Sequence, residues 1–383
     1  MPATDRTLSQ SDNRRATWLE LFFDLVFVAV ISAVSNDLAH TVHGHLTAEQ
    51  LLRFPLVFIP VWWIWMTHTL YANRFDQDDI KHRIVALLIM ALVVLLSTYS
   101  EQSLSGKFDA YVMTYVVIRW ILAGMYLAVY SKQRNELRCA RKIAQSITFG
   151  ALVSGCAFFL DGPVQYIVFY LGIVIDICWQ GYLRRNACQH PVHRSHLVER
   201  IGLMIIILLG ESVISIVGSL SQVDWTPLRV GAAISGFAMA WGFWWIYYDA
   251  FPLLERASRL SSGNLLTLSH LLLCMGLLLL SEMIKYTIVD DMNRTTFNRL
   301  AICGMTAFYI GKQLPYWQLF PPWRKGIILN STVCLAIIVG STFLPNIQYS
   351  LMGISAGSLI YVVMSFRMFR RHPVKDYLVP RNQ

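Results

Sequence analysis

Acidic and basic side chains stand inside long apolar stretches of this chain, and they are the residues best placed to do chemistry. Glu20 and Asp24 lie four apart in Leu19-Glu20-Leu21-Phe22-Phe23-Asp24, so in a helix both carboxylates leave from one face, with Ser35 three turns further along it. Glu211 falls midway along another apolar run and shares a face with Ser215 and Gly218, small neighbours that allow close helix approach and leave polar space. Glu199 and Arg200 open that same run, and Asp249, His270, Glu282, Lys285, His68, Arg119 and Asp176 complete the set. An ionisable group at bilayer depth costs about 2.5–3.5 kcal/mol unless it faces the bundle interior, water or a partner. An acid in such a place is held neutral by a proton unless a cation stands beside it, which is what a proton or cation carrier needs. Glu20, Asp24, Glu211, Asp249 and His270 are therefore the candidates for proton or ion coupling, with Arg119, Arg200 and Glu199 as counter-charge candidates. A plainer reading stands beside this one. Glu20, Glu199, Asp249 and Lys285 lie near enough to helix ends to anchor them at an interface, and Arg119 with Asp176 fits a buried structural ion pair.

Other chemistries find little support. His40, His43 and His45, and again His190, His193 and His196, cluster without a metal-ligand spacing, so no metal is expected. Seven cysteines show no CxxC pair and lie mostly in apolar runs, which implies neither a disulfide framework nor zinc. No GxxxxGK[ST], GxGxxG or HExxH motif occurs, so neither a nucleotide-driven pump nor a bound cofactor is expected, and no residue is assigned as catalytic.

The elements that carry these residues follow from composition. Of 383 residues 55% are hydrophobic and 14% charged, and the mean hydropathy is +0.48, roughly half the charge of a soluble domain. Apolar runs long enough to cross a hydrocarbon core of about 30 Å predict twelve helices: Thr17–Ala39, Leu51–Ala72, Ile84–Ser100, Ala110–Tyr130, Ile143–Leu160, Val164–Leu183, Leu197–Leu220, Leu228–Ala250, Leu265–Tyr286, Phe297–Trp317, Gly326–Leu344 and Leu351–Phe369. Short polar turns such as Asp161-Gly162-Pro163 require tight antiparallel hairpins. The fold class is thus all-α, a polytopic transmembrane bundle in contact with the lipid bilayer.

With the N-terminus placed in the cytoplasm, 25 of the 32 Lys and Arg residues fall on that side, six on the other, and Arg119 within a span. The net charge of +9 is then an orientation signal, and no nucleic acid partner is implied. Both termini are expected in the cytoplasm, the N-terminal tail over residues 1–16 and the C-terminal tail from about residue 370, and no cleaved signal peptide is expected. An internal echo suggests two six-helix halves, 1–183 and 184–383. Each half opens with acids and then carries a tryptophan pair followed by an aspartate, Trp62-Trp63 to Asp76 and Trp244-Trp245 to Asp249. A histidine follows in each, His82 and His270. An even helix offset would give the halves parallel orientation.

The segments Trp18–Val28, His196 through Glu199-Arg200 to Gly210-Glu211-Ser212, and Trp244-Trp245-Ile246-Tyr247-Tyr248-Asp249 closely resemble the bacterial low-temperature-requirement A family over nearly the whole chain. The resemblance implies a multipass protein of the bacterial inner membrane, with Glu20, Asp24, Glu199, Arg200, Glu211, Asp249 and His270 at family positions. A fainter similarity links Arg15 and Phe22-Phe23-Asp24 to cation channels built from two six-helix repeats, whose first helix carries an Arg before Phe-Ser-Asp; here Phe23 replaces the serine and the Arg spacing differs.

The leading expectation is an ion-gradient-driven, proton-coupled secondary transporter of a small solute or ion, resting on intramembrane acids that surround one shared wet compartment. A cation channel lined by the first and seventh helices is the alternative. A third reading is an intramembrane enzyme acting on lipid or a polyprenyl carrier, with His270 paired to Asp249 or Glu211. A homo-oligomer is compatible with each.

Overall fold

The computed structural model describes residues 16–35, 48–75, 79–100, 108–132, 138–186, 192–257, 263–371 and 373–378. They form twelve α-helices, one on each expected run: α1 (Trp18–Ser35), α2 (Ala48–Phe75), α3 (Ile80–Ser100), α4 (Phe108–Lys132), α5 (Arg138–Gly155), α6 (Pro163–Asn186), α7 (Arg194–Leu220), α8 (Pro227–Glu255), α9 (Asn264–Val289), α10 (Arg294–Leu319), α11 (Arg324–Ser341) and α12 (Ile347–Arg371). Among the described residues nine of these, α3 to α9 with α11 and α12, are long and apolar enough to cross a membrane.

The helix ends follow local chemistry. Thr226 caps α8 by accepting from the Arg229 N–H, with Pro227 in the first turn, where its missing N–H costs nothing. Asn293 does the same for α10, accepting from Thr296 N at 2.8 Å. Between α5 and α6 the chain turns through one short 3-10 segment, Cys156–Phe159, and then Gly162, whose φ of 66° suits a residue without Cβ. This is the tight hairpin expected at Asp161-Gly162-Pro163. Cys139, in the first turn of α5, is disulfide-bonded. The expectation of no disulfide is corrected there: Cys139 lies in the first turn of α5, before the apolar run begins at Ile143, where a bond to a residue outside the helix is within reach.

Helix pairs close where side chains are smallest. Gly276 of α9 faces Gly304 and Phe308 of α10, and Gly311 of α10 faces Ser269 and Leu273 of α9. The two contacts lie seven residues apart on each helix in opposite directions, so the pair is antiparallel and the backbones touch twice. Gly150 and Gly172 bring α5 onto α6 in the same way, and a Cβ on Gly150 would stand 2.6 Å from the Asp176 Cβ.

Across the halves the geometry differs. Glu20 of α1 meets His196 of α7, and four residues on Asp24 meets Arg200, an unchanged offset of 176 residues. α1 and α7 therefore run parallel and start on the same side. α2 packs against α1, α4, α7 and α9, and every residue from Pro60 to Phe75 is buried. A helix buried on all sides is central, and the polar groups it carries explain why α2 is not among the nine strongly apolar helices.

Gly311→Ala should be strongly destabilising, because its Cβ would lie 2.4 Å from Leu273 N and 2.6 Å from Ser269 O, both backbone atoms. Overpacking of this kind costs about 1–3 kcal/mol. Gly124→Ala, with nothing within 4 Å, should stabilise α4 by about 0.5–1 kcal/mol through helix propensity. Thermal unfolding of the detergent-solubilised chain checks both signs.

Candidate functional site

Two buried aspartate–arginine pairs are built on α2. Trp63 and Trp65 are two residues apart and so project about 200° from one another around the helix. Their indoles serve different sides of the bundle.

On one side Asp24 of α1, fully buried, pairs with Arg200 of α7. Trp65 Nε1 donates to the same carboxylate at 2.8 Å, and Arg200 Nε approaches the second oxygen at 3.3 Å. The guanidinium carbon lies 5.9 Å from the centre of the Trp65 ring, within cation–π range. Glu20, one turn earlier, is 3.6 Å from Arg200 Nη1 and 3.2 Å from His196 Nε2, and it accepts from Thr17 N at 2.8 Å.

His196 has its tautomer set by Asn73. The Asn73 carboxamide oxygen accepts from His193 N at 3.0 Å while its NH2 donates to His193 O at 2.9 Å, so the amide is oriented by a peptide group. The same NH2 lies 3.1 Å from His196 Nδ1, which must then be the accepting nitrogen, and Nε2–H donates to Glu20. Glu199 points elsewhere and accepts from Ala16 N at 3.3 Å. Next to this cluster His68 of α2 stacks on Phe23 with 3.9 Å between ring centroids. Both of its ring nitrogens are buried and without a hydrogen-bond partner among the described residues.

On the other side Arg119 of α4 pairs with Asp176 of α6, the ion pair that the sequence raised. Trp63 Nε1 donates to Asp176 at 2.7 Å, Ser146 Oγ at 2.9 Å and Gln180 Nε2 at 2.8 Å. Arg119 also donates to Thr67 Oγ1 at 2.9 Å, and its guanidinium carbon sits 5.9 Å from the Trp63 ring centre. Each pair thus has one indole N–H on the carboxylate and the same indole's ring beside the cation.

The remaining candidates lie apart from this interior. Glu211 is eleven residues beyond Arg200 on α7, about 16 Å along the axis at 1.5 Å per residue. It is half-buried near Glu282 of α9, which holds Lys285 at 3.6 Å. Asp249 is exposed and lines a cavity of about 390 Å³ with Trp323, Phe366, Phe369 and Arg370. His270 is buried, with Nδ1 bonded to Leu266 O at 2.9 Å and Nε2 facing Tyr247 OH at 3.0 Å. Neither ring nitrogen meets an acid among the described residues.

The expected gathering of these acids around one compartment is therefore corrected. Glu20 and Asp24 share a site with Arg200, whereas Glu211, Asp249 and His270 occupy three other places, and each ionised pair has its own local partners. The tryptophan pairs differ as well: Trp62 and Trp63 are buried, but Trp244 is 45% exposed. His40, His43, His45, Asp76 and His190 lie outside the described residues.

Lys312, inside the expected run Phe297–Trp317 but not singled out from the sequence, is buried in α10 with its Nζ 5.1 Å from the Tyr316 ring centre and 5.5 Å from that of Tyr361. Sequence reasoning also treated His196 as one of a loop cluster. The available signal was spacing, since His196 and Arg200 repeat on α7 the four-residue interval of Glu20 and Asp24.

Together these features define a polytopic α-helical membrane protein whose interior charges are neutralised between helices. The sequence matches the profile of the bacterial low temperature requirement A protein (LtrA) over residues 15–365, and the chain belongs to that family. It is also 23% identical over 252 residues to an uncharacterized protein of Rhizobium meliloti (strain 1021), a match spanning 62% of this chain and 59% of that protein.

Trp65→Phe and Trp63→Phe should each lower stability by about 1.5–3 kcal/mol, the usual worth of a hydrogen bond to a charged group. Asp249→Asn, at an exposed position, should stay within about 0.5 kcal/mol. Thermal melts of the purified variants in one detergent compare all three directly.

Proposed function

We propose that this chain is a proton-coupled secondary transporter of a small solute, and that the cluster between α1, α2 and α7 is where the coupling proton is held. The observation that carries this reading is a group of ionisable side chains gathered in a dry place. Glu20 and Asp24 contribute two carboxylates, Arg200 contributes one fixed cation, and all three are at most 3% exposed. Asp24 takes the closer pairing with Arg200, supported by Trp65. Glu20 lies at the longer distance from Arg200 and accepts from His196 Nε2. Two carboxylates and one guanidinium thus share this interior, and one proton held between Glu20 and Asp24 would ease the repulsion between the two acids.

The position suits coupling. α1 and α7 open the two proposed halves, 1–183 and 184–383, and run parallel from the same side, as the first helices of a parallel repeat would. A change in the charge of the Glu20 and Asp24 pair alters a polar attachment between α1 and α7, so protonation state and helix packing are linked. Twelve crossings, with α1, α2 and α10 alongside the nine strongly apolar helices, would place both termini on the side rich in Lys and Arg, the cytoplasmic face by charge bias. In this reading Arg200 holds the site together, Glu20 and Asp24 share the proton, and His196 and Asn73 set its surroundings.

Infrared difference spectra of the reconstituted chain between about pH 5 and 8, the range in which a proton carrier must work in cells, test this directly. The wild type should show one buried carboxylic acid band that Glu20→Gln or Asp24→Asn shifts or removes and Glu211→Gln leaves in place. In proteoliposomes under a proton gradient, Glu20→Gln should abolish solute-dependent proton flux. A spectrum with no carboxyl titration across that range would remove the coupling role from this cluster.

A further inference from the structure

From Met292 to Lys375 the chain contains no acidic residue, while it carries Arg294, Arg299, Lys312, Arg324, Lys325, Arg367, Arg370, Arg371 and Lys375. The last three helices therefore have no carboxylate of their own for these cations. Arg324 and Lys325, both exposed, open α11.

α10 and α11 leave a lateral groove of about 330 Å³ between them, walled by Ile310, Leu314, Trp317, Ile327, Ile328 and Leu335. The polar groups at its base are turned towards each other. Gln313 Nε2 donates to Tyr361 OH at 2.7 Å, and Ser331 Oγ donates to Gln313 Oε1 at 2.6 Å. What remains facing outward is hydrocarbon. Ile310 is 50% exposed and Ile328 58%, on the outer surface of a bundle that meets lipid, so the groove opens sideways to acyl chains.

Its length and its end decide the occupant. Along α10 the lining runs from Thr306 to Trp317, eleven residues or about 16 Å, which is one leaflet of a hydrocarbon core about 30 Å thick. At the Trp317 end the guanidinium of Arg324 lies 4.6 Å from the indole ring centre, and its Nε donates to Trp317 O at 3.0 Å. The two terminal nitrogens of that guanidinium have no partner among the described residues and are fixed at the mouth of the groove. A planar guanidinium held this way presents a fork that matches two phosphate oxygens.

We propose that the α10–α11 groove is a binding site for an anionic phospholipid, with one acyl chain in the groove and the headgroup phosphate on Arg324 and Lys325. The chain length that fits is one leaflet deep, and the cationic mouth stands where the headgroup would be. A zwitterionic headgroup would bring an ammonium beside the cations Arg324 and Lys325, which is why the net negative class is preferred. The site is independent of the proton-coupling reading, since it shares no residue with the α1–α7 cluster.

Native mass spectrometry of the full chain in mild detergent, titrated with phosphatidylglycerol and phosphatidylcholine of equal chain length, provides the test. The wild type should retain one phosphatidylglycerol more tightly than phosphatidylcholine. Arg324→Gln and Lys325→Gln should each weaken phosphatidylglycerol by about fivefold and leave phosphatidylcholine unchanged. Leu335→Trp, which fills the groove, should weaken both lipids. An unaltered preference in both Arg324→Gln and Lys325→Gln would overturn the proposal. So would inorganic phosphate binding as tightly as phosphatidylglycerol, because the groove would then play no part.

Discussion

A charge taken out of water must find its compensation inside the protein, and the interior of this bundle is arranged around that requirement. Asp24 and Arg200 are both at zero exposure, so neither is tolerable alone. Removing one member of such a pair costs about 3–5 kcal/mol because the survivor is left uncompensated. The partners stand on different helices, and this is what converts an electrostatic need into architecture. α1 and α7 must start on the same side, in the same register, for Glu20 to reach His196 and Asp24 to reach Arg200.

α2 does the corresponding work for the rest of the first six helices. Its Trp63 and Trp65 point to opposite sides, and each donates an indole N–H to an aspartate already paired with an arginine. Tryptophan suits this place because its ring adds apolar area to the core while its single donor is fully used. Thr67 and Asn73 extend the same pattern, binding Arg119 and the His193 peptide group. The most buried helix of the first half is consequently not one of the strongly apolar ones, and Trp63, Trp65, Thr67 and Asn73 turn their polar atoms to partners on α4, α6, α1 and α7 or beside them. Elsewhere the bundle closes by shape, with glycines letting α5 meet α6 and α9 meet α10 at backbone distance.

Much of this was legible in the sequence, and the divisions are physical. Helix number and the turn at Gly162 depend on local apolar runs and on backbone preferences, so they could be read one segment at a time. The pairing of Glu20 with Asp24 on one face depends only on helical periodicity. Partner choice was harder, because it depends on which helices touch. Arg119 and Asp176 could be matched since few charges lie so deep. Arg200 was read as a counter-charge, but its partners on α1 and the indole of Trp65 required the tertiary arrangement. Glu211, Asp249 and His270 share the residue types of coupling groups, yet burial and neighbours separate them: Asp249 is exposed, and His270 is engaged by Tyr247 and Leu266. Lys312 carried no sign of its burial, since a lysine near the end of an apolar run usually reaches water along its stem.

The central claim is that Asp24 and Arg200 act as one unit tying α1 to α7. A double-mutant cycle on Asp24→Asn, Arg200→Gln and the combined variant, read as unfolding free energy in detergent, measures that unit directly. The account predicts that the double variant is no less stable than either single one, with a coupling of at least about 1.5 kcal/mol, inside the range of about 0.5–3 kcal/mol measured for residues sharing one network. Additive losses, with the double variant as unstable as the two single changes combined, would contradict it and leave the two residues as separate buried charges.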